Sequence, residues 1–118
     1  MFAEKLENAV SSVKGGQALV LMGFDGLPVE TFSSDEQFDV ETVGMEFSVL
    51  LKEVRKAAEQ LEAGTMREMT VRTDRLTAVM RVVNDEYFLA MAVEPSGNLG
   101  KARFVLRIIA PQIVGELV

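Results

Sequence analysis

The chain contains no cysteine and no histidine. The first absence removes disulfides, thiol nucleophiles and thiolate metal sites. The second removes the commonest general base and the commonest transition-metal ligand. Most familiar catalytic constellations cannot be built from what remains, and neither a metal nor another cofactor is expected. No uninterrupted apolar run approaches the length of a membrane span, so direct membrane insertion is not expected either. Residues 1–14 carry Glu4, Lys5, Glu7 and Lys14 between spaced apolar positions, unlike the continuous apolar stretch of a signal peptide. These absences point to a soluble, cytoplasmic protein.

What is present is a globular composition. The 118 residues make one domain, 1–118, large enough to bury a real core. Hydrophobic residues supply 48% and charged residues 25%, which excludes a disordered chain. The formal charge is −6, so the surface as a whole suits nucleic acid or an anionic membrane poorly.

Residues 2–14 place Phe2, Leu6, Ala9, Val10 and Val13 at helical spacing, with Gly15-Gly16 closing the segment. Residues 17–24 and 27–32 are apolar runs joined by Asp25-Gly26, the strongest short hairpin signal. Pro28 cannot donate to a ladder and assigns the second strand to a sheet edge. A polar stretch then leads to a long helical segment, 40–63. Asp39 reads as its N-cap, Phe38 and Val43 as a hydrophobic staple, and Gly64 as its stop. Val40, Val43, Phe47, Leu50, Val54, Ala57 and Leu61 fall on a and d positions of a heptad, with Gly44, Leu51 and Ala58 beside them, and are read as the core face. Three strands follow as a meander, 66–73, 76–83 and 86–93, turning at Asp74-Arg75 and Asn84-Asp85. A last helix begins near Leu99 with Ala102, Leu106, Ile109 and Ile113 on its face, and Pro111 should kink or shorten it.

Strand faces decide the layers. In the first strand Ala18, Val20 and Met22 alternate with Leu19 and Leu21; in the fifth, Phe88, Ala90 and Ala92 alternate with Leu89, Met91 and Val93. Strands apolar on both faces must be covered on both. The third alternates Met69 and Val71 with Glu68, Thr70 and Arg72, so it is covered on one side. The expected fold is α/β (α+β): a five-stranded antiparallel sheet with helices on both faces, in the order α-β-β-α-β-β-β-α.

Candidate chemistry is sparse. There is no G-x-x-x-x-G-K-[ST] phosphate loop, and Gly15-Gly16 and Gly23…Gly26 read as turn glycines. The pairs Asp35-Glu36 and Asp85-Glu86 read as solvated turn carboxylates. Most of the seven methionines (Met1, Met22, Met45, Met66, Met69, Met80 and Met91) read as core packing, with Met45 and Met66 as exceptions. Arg81 reads as structural, while Arg55, Arg67, Arg72 and Arg75 read as exposed. Opposite the apolar arc of the central helix stand Met45 and Val49. Lys52 and Lys56 continue that line and Arg55 adjoins it, a basic cluster on an acidic protein. The bland reading is a solvated face; the sharper one is a partner surface made of Met45, Val49, Lys52, Arg55 and Lys56, or, for the apolar pair, a surface that packs against a twin helix.

The element order, the Asp25-Gly26 hairpin, the long central helix, the VRTDRLTAVMRVVNDEYFLAMAV meander and the LGKARF segment resemble the roadblock (dynein light chain roadblock) family, most of all its bacterial MglB-type members. The resemblance covers essentially the whole chain and implies a roadblock/longin-like (profilin-like) domain that is not itself an enzyme. It further implies a homodimer, or a dimer with a roadblock paralogue, in which the sheets join and two central helices lie side by side. Such a pair is a platform for a Ras-like (MglA-like) small GTPase, and MglB-type members resemble activating proteins that act without an arginine finger. The alternatives are a structural dimerisation adaptor insensitive to nucleotide state, or a ligand-binding sensor. If strands one and five are neighbours, as the family implies, the third strand is a free edge without proline. Met66, Glu68, Met69, Thr70, Val71 and Arg72 are then the expected dimer interface.

Overall fold

Asp25-Gly26 reverses the chain as its sequence predicts. Gly26 takes φ +88°, open to a residue without Cβ, and the Gly23 N–H donates to the Leu27 carbonyl at 2.9 Å. Around this hairpin the computed structural model, which describes residues 2–117, has the elements α1 (Phe2–Ser11), β1 (Gly16–Gly23), β2 (Pro28–Ser33), α2 (Val40–Gln60), β3 (Glu68–Arg72), β4 (Thr77–Val82), β5 (Tyr87–Val93) and α3 (Leu99–Leu117). The order matches the expectation. The five strands form one antiparallel sheet in the sequence β2-β1-β5-β4-β3, so β2, which carries Pro28, and β3 are its edges.

Two cores lie on the two faces. Leu19, Leu21, Leu89, Met91 and Val93 pack against Leu6, Ala9 and Val10 of α1 and Ala102, Leu106 and Ile113 of α3. Ala18, Val20, Met22, Phe88, Ala90 and Ala92 pack with Val40 and Leu51 of α2. The period-two alternation of β1 and β5 thus feeds both layers, each fully buried large side chain contributing roughly 1.5–3 kcal/mol.

The caps of α2 are local chemistry. Asp39 is its N-cap: the Thr42 N–H donates to Asp39 Oδ1 at 3.1 Å and the Thr42 hydroxyl to Oδ2 at 2.6 Å. The helix stops at Gln60, earlier than Gly64 suggests. Glu62 takes the left-handed conformation (φ 54°), the Ala63 N–H reaches the Ala58 carbonyl, and the Glu62 N–H reaches the Glu59 carbonyl. That is a Schellman closure completed without glycine. In α3, Pro111 does not shorten the helix, which continues to Leu117. The ring leaves the Arg107 carbonyl without a helical donor, but both residues are exposed and water can serve it.

Among the described methionines Met22, Met80 and Met91 are fully buried and Met69 is half-buried. Met66 is also buried, in the α2-side core, so it belongs to its own protomer's packing and not to the exposed exceptions. Met1 lies outside the described residues. Among those residues, no helix is long and apolar enough to cross a membrane.

Candidate partner-binding surface

The face that α2 turns to the sheet is set by its smallest residues. Gly44 and Ser48 are buried together with Val40 and Leu51. A Cβ on Gly44 would stand 3.0 Å from both Val20 Cγ1 and Met22 Sδ, so the helix approaches β1 there closely enough that a side chain would push its neighbours aside. The core line is therefore 40-44-48-51, centred to one side of the heptad line.

The apolar heptad residues consequently split. Val43 and Phe47 are partly buried, but Leu50, Val54 and Leu61 are 48%, 40% and 78% exposed, and Ala57 is exposed as well. This corrects their reading as core. Val43, Phe47, Leu50, Val54, Ala57 and Leu61 instead form a continuous flank spaced alternately by four and three residues. A 3.5-residue repeat is the spacing of a seam against another helix, whereas a helix on a sheet follows 3.6.

The seam overlooks the third strand. On its opposite flank α2 is tied to the β1–β2 hairpin, because Thr31 donates to Glu41 Oε2 at 2.9 Å and Met45 lies against Gly26. The helix packs on β1, β5 and β2. Its seam therefore points toward β4 and β3, where Met69 and Val71 share the face of Met80 and Ala78 and are only half-buried.

The β3 edge itself has a defined polarity. Val82 N–H donates to the Arg67 carbonyl and Thr73 N–H to the Leu76 carbonyl, so 67, 69, 71 and 73 are the residues bonded to β4. The main-chain groups of Glu68, Thr70 and Arg72 point outward from the sheet.

Met45 and Val49 are exposed, as the helical phase predicts, and Lys52 and Lys56 extend their line in solvent. Arg55 leaves this group. It is partly buried beneath the helix, its guanidinium 4.0 Å from the centroid of the Phe24 ring and Nη1 donating to the Asp85 carbonyl at 3.1 Å. Its angular position, near that of Ser48, puts it on the sheet side, so its expected place beside Lys52 and Lys56 is corrected. The signal available in the sequence was the i, i+4 pair Gly44 and Ser48: small residues mark where a helix backbone meets its neighbour.

The Asp35 carboxylate accepts the Gln37 N–H at 2.9 Å and Asn84 Oδ1 accepts the Glu86 and Tyr87 N–H groups, the local bonds of turns. Among the described residues no cluster of three or more acidic side chains is placed to hold a metal ion. Three of the described carboxylates sit below their ordinary range, Glu116 through the hydrogen bond and charge of Lys5. Asp39 does so because Thr42 donates to it through hydroxyl and backbone, and Glu68 because Arg103 bonds it while Arg81 and Arg107 add positive potential.

Comparison with known proteins agrees with this architecture. The family model for the Roadblock/LC7 domain matches residues 2–92. Among solved structures, MglC from Myxococcus xanthus is 42% identical, with 96% of each chain covered and a TM-score of 0.69. A Roadblock/LC7 domain from Streptomyces avermitilis is 16% identical over 97% of this chain and 95% of its own, with a TM-score of 0.86. The gliding protein MglB from Thermus thermophilus is 13% identical over 95% of this chain and 84% of its own, with a TM-score of 0.83; these last two show the fold alone. No curated protein matches the chain. The sheet order, the helix layers and the family match together establish that the chain belongs to the Roadblock/LC7 family.

Proposed function

We propose that this protein is a non-catalytic, dimeric regulator or scaffold of a Ras-like small GTPase. The observation that carries the reading is the exposed apolar seam of α2 beside the unpaired edge of β3. A second copy related by a two-fold axis would satisfy both at once. The β3 edges would pair antiparallel, and the two seams would bury Leu50, Val54 and Leu61 against each other. Met69, Thr70, Val71, Glu68 and Arg72 are the strand residues of this interface. Met66 contributes only from beneath.

The dimer leaves the flank of Met45, Val49, Lys52 and Lys56 facing solvent on each helix. An apolar pair next to two lysines suits a GTPase surface with an acidic rim, the charges setting the association rate and the apolar pair the lifetime. Arg55, the sole arginine of α2, is held by Phe24 and Asp85. This supports a reading in which the protein acts on its partner's own catalytic groups without an arginine finger from this helix.

The test is binding and turnover with a Ras-like small GTPase from the same organism, loaded in turn with GDP and with a non-hydrolysable GTP analogue. A regulator prefers one nucleotide state or changes the hydrolysis rate. Equal binding to both with no change in rate identifies an adaptor and contradicts the proposal.

A further inference from the structure

The charge of the chain is divided in space. Segments 66–82 and 99–107 hold seven of its twelve basic residues but only two of its eighteen acidic ones. The remainder is strongly acidic. On the sheet face opposite α2 three of these basic residues, Arg81, Arg103 and Arg107, converge, because Glu68 of β3 pairs with Arg81 of β4 and α3 crosses the same face. A cleft of about 350 Å³ opens there, lined by Glu68, Arg81, Gly100, Arg103, Phe104 and Arg107.

Glu68 is the one carboxylate lining this cleft, and three guanidiniums share it. Arg103 hydrogen-bonds it, Arg81 Nη1 lies 3.8 Å away, and Arg107 adds to the potential that holds its pKa down. One negative charge against three leaves an excess of positive charge on a protein whose net charge is −6. Beside it runs an apolar row. Phe104 and Ile108 are 48% and 47% exposed, one helical turn apart, next to the parallel row of Arg103 and Arg107. The Arg107 guanidinium lies 5.5 Å from the Phe104 ring centroid, at the junction of the two rows.

We propose that this face of α3, with Arg81 beneath it, is a second docking surface and that its occupant is an acidic amphipathic polypeptide segment. The paired basic and apolar rows match a helix carrying Glu or Asp along one line and Leu or Phe along the next. The guanidiniums offer bidentate bonds to carboxylates, and the exposed Phe104 and Ile108 provide the apolar contact. Phe104 and Ile108 offer an apolar row that a polyphosphate chain cannot use. The acidic remainder of the surface repels an extended polyanion or a bilayer more than a short segment confined to this face, which favours a polypeptide. The surface lies across the sheet from α2. It adjoins the proposed β3 joint at Glu68, but its basic and apolar rows belong to α3 and β4, so it does not rest on the GTPase reading.

The experiment is fluorescence anisotropy with a labelled twenty-residue Glu-rich amphipathic peptide carrying Leu and Phe at i, i+3 and i+4 spacing. Its counterparts are the same peptide with Glu replaced by Lys, a twenty-nucleotide oligothymidylate, and vesicles of phosphatidylserine and phosphatidylcholine. The acidic peptide binds and is released by salt, and Arg107→Glu, alone or with Arg103→Gln, weakens it about tenfold or more. Phe104→Ser weakens it at all salt concentrations. Lys52→Glu/Lys56→Glu leaves it unchanged, and so does Leu50→Glu/Val54→Glu, which disrupts the proposed dimer seam. Thermal melts confirm that each variant is folded; should Arg103→Gln fail that control, Arg107→Glu carries the test. The proposal is overturned by no binding of the acidic peptide, by binding indifferent to Arg107→Glu, or by equal or tighter binding of the oligonucleotide or vesicles.

Discussion

The guanidinium of Arg55 lies 4.0 Å from the ring centroid of Phe24, and the same side chain donates to the Asp85 carbonyl. One residue of α2 thereby clamps the β1–β2 turn region to the β4–β5 hairpin. Phe24 is itself buried, its ring centroid 5.2 Å from that of Phe88 with the planes tilted by 47°, so the clamp reaches the core. Replacing Arg55 by Ala should cost about 1–2 kcal/mol, the sum of a partly shielded cation–π contact and a charge-assisted hydrogen bond. Urea denaturation measures it. If the proposed function holds, hydrolysis by the GTPase it regulates should stay within about twofold at temperatures where the variant is folded, since this arginine acts within its own protomer.

Leu50 and Leu51 are neighbours with opposite environments, one 48% exposed and the other fully buried. Leu51→Ala should destabilise the fold by about 2–5 kcal/mol through the cavity it leaves. Leu50→Ala should change the stability of an isolated protomer by less than about 0.5 kcal/mol. Its effect should appear instead as a weaker dimer. Chemical denaturation across a range of protein concentrations separates the two.

The β3 edge gives a paired test by proline. Thr70 directs its N–H away from β4, whereas Val71 belongs to the set bonded to it. Thr70→Pro should keep the β3–β4 ladder and lose the dimer. Val71→Pro should break the ladder within the protomer and lower the melting temperature as well. If Thr70→Pro remains a stable, folded dimer in sedimentation, the joint lies elsewhere.

Acid should loosen the basic face. Glu68 is held below its ordinary value of 4.5, first by the Arg103 hydrogen bond and then by the charges around it. The unfolded chain therefore binds this proton more tightly than the folded one. The stabilisation is complete above about pH 4.5 and is lost as pH falls through the lower folded value. Asp39 is depressed from 3.8 and adds a second loss, at the start of α2, as pH falls through its own lowered value. Melting temperatures of the wild type and of Glu68→Gln should differ near neutral pH and converge in acid. A difference that persists unchanged at pH 2–3 would refute this origin.

The layers, the element order, the β2 edge and the N-cap of α2 were legible in the sequence because each rests on a local pattern. Period-two alternation in β1 and β5, an Asp25-Gly26 turn, Pro28 and Asp39 each have one strong local reading. The helical phase of α2 was not fully legible, because two periodicities overlap in it. Its 3.6-residue face is built on Gly44 and Ser48, residues that hydrophobicity does not score, while the richer 3.5-residue line from Val43 to Leu61 is the exposed flank. Arg55 was misplaced by the same overlap, since a cation is read as exposed until an aromatic ring such as Phe24 is seen beneath it. The stop at Gln60 was missed because Glu62, not a glycine, takes the left-handed conformation.

The central claim is that a second copy covers the α2 seam and the β3 edge. Sedimentation equilibrium of the purified chain at about 1–100 µM, beside the Leu50→Glu/Val54→Glu variant, tests it most directly. The account predicts twice the 13.0 kDa chain mass for the wild type and a folded species of 13.0 kDa for the variant. A wild type that sediments as a monomer throughout that range, or a variant that stays dimeric, contradicts it.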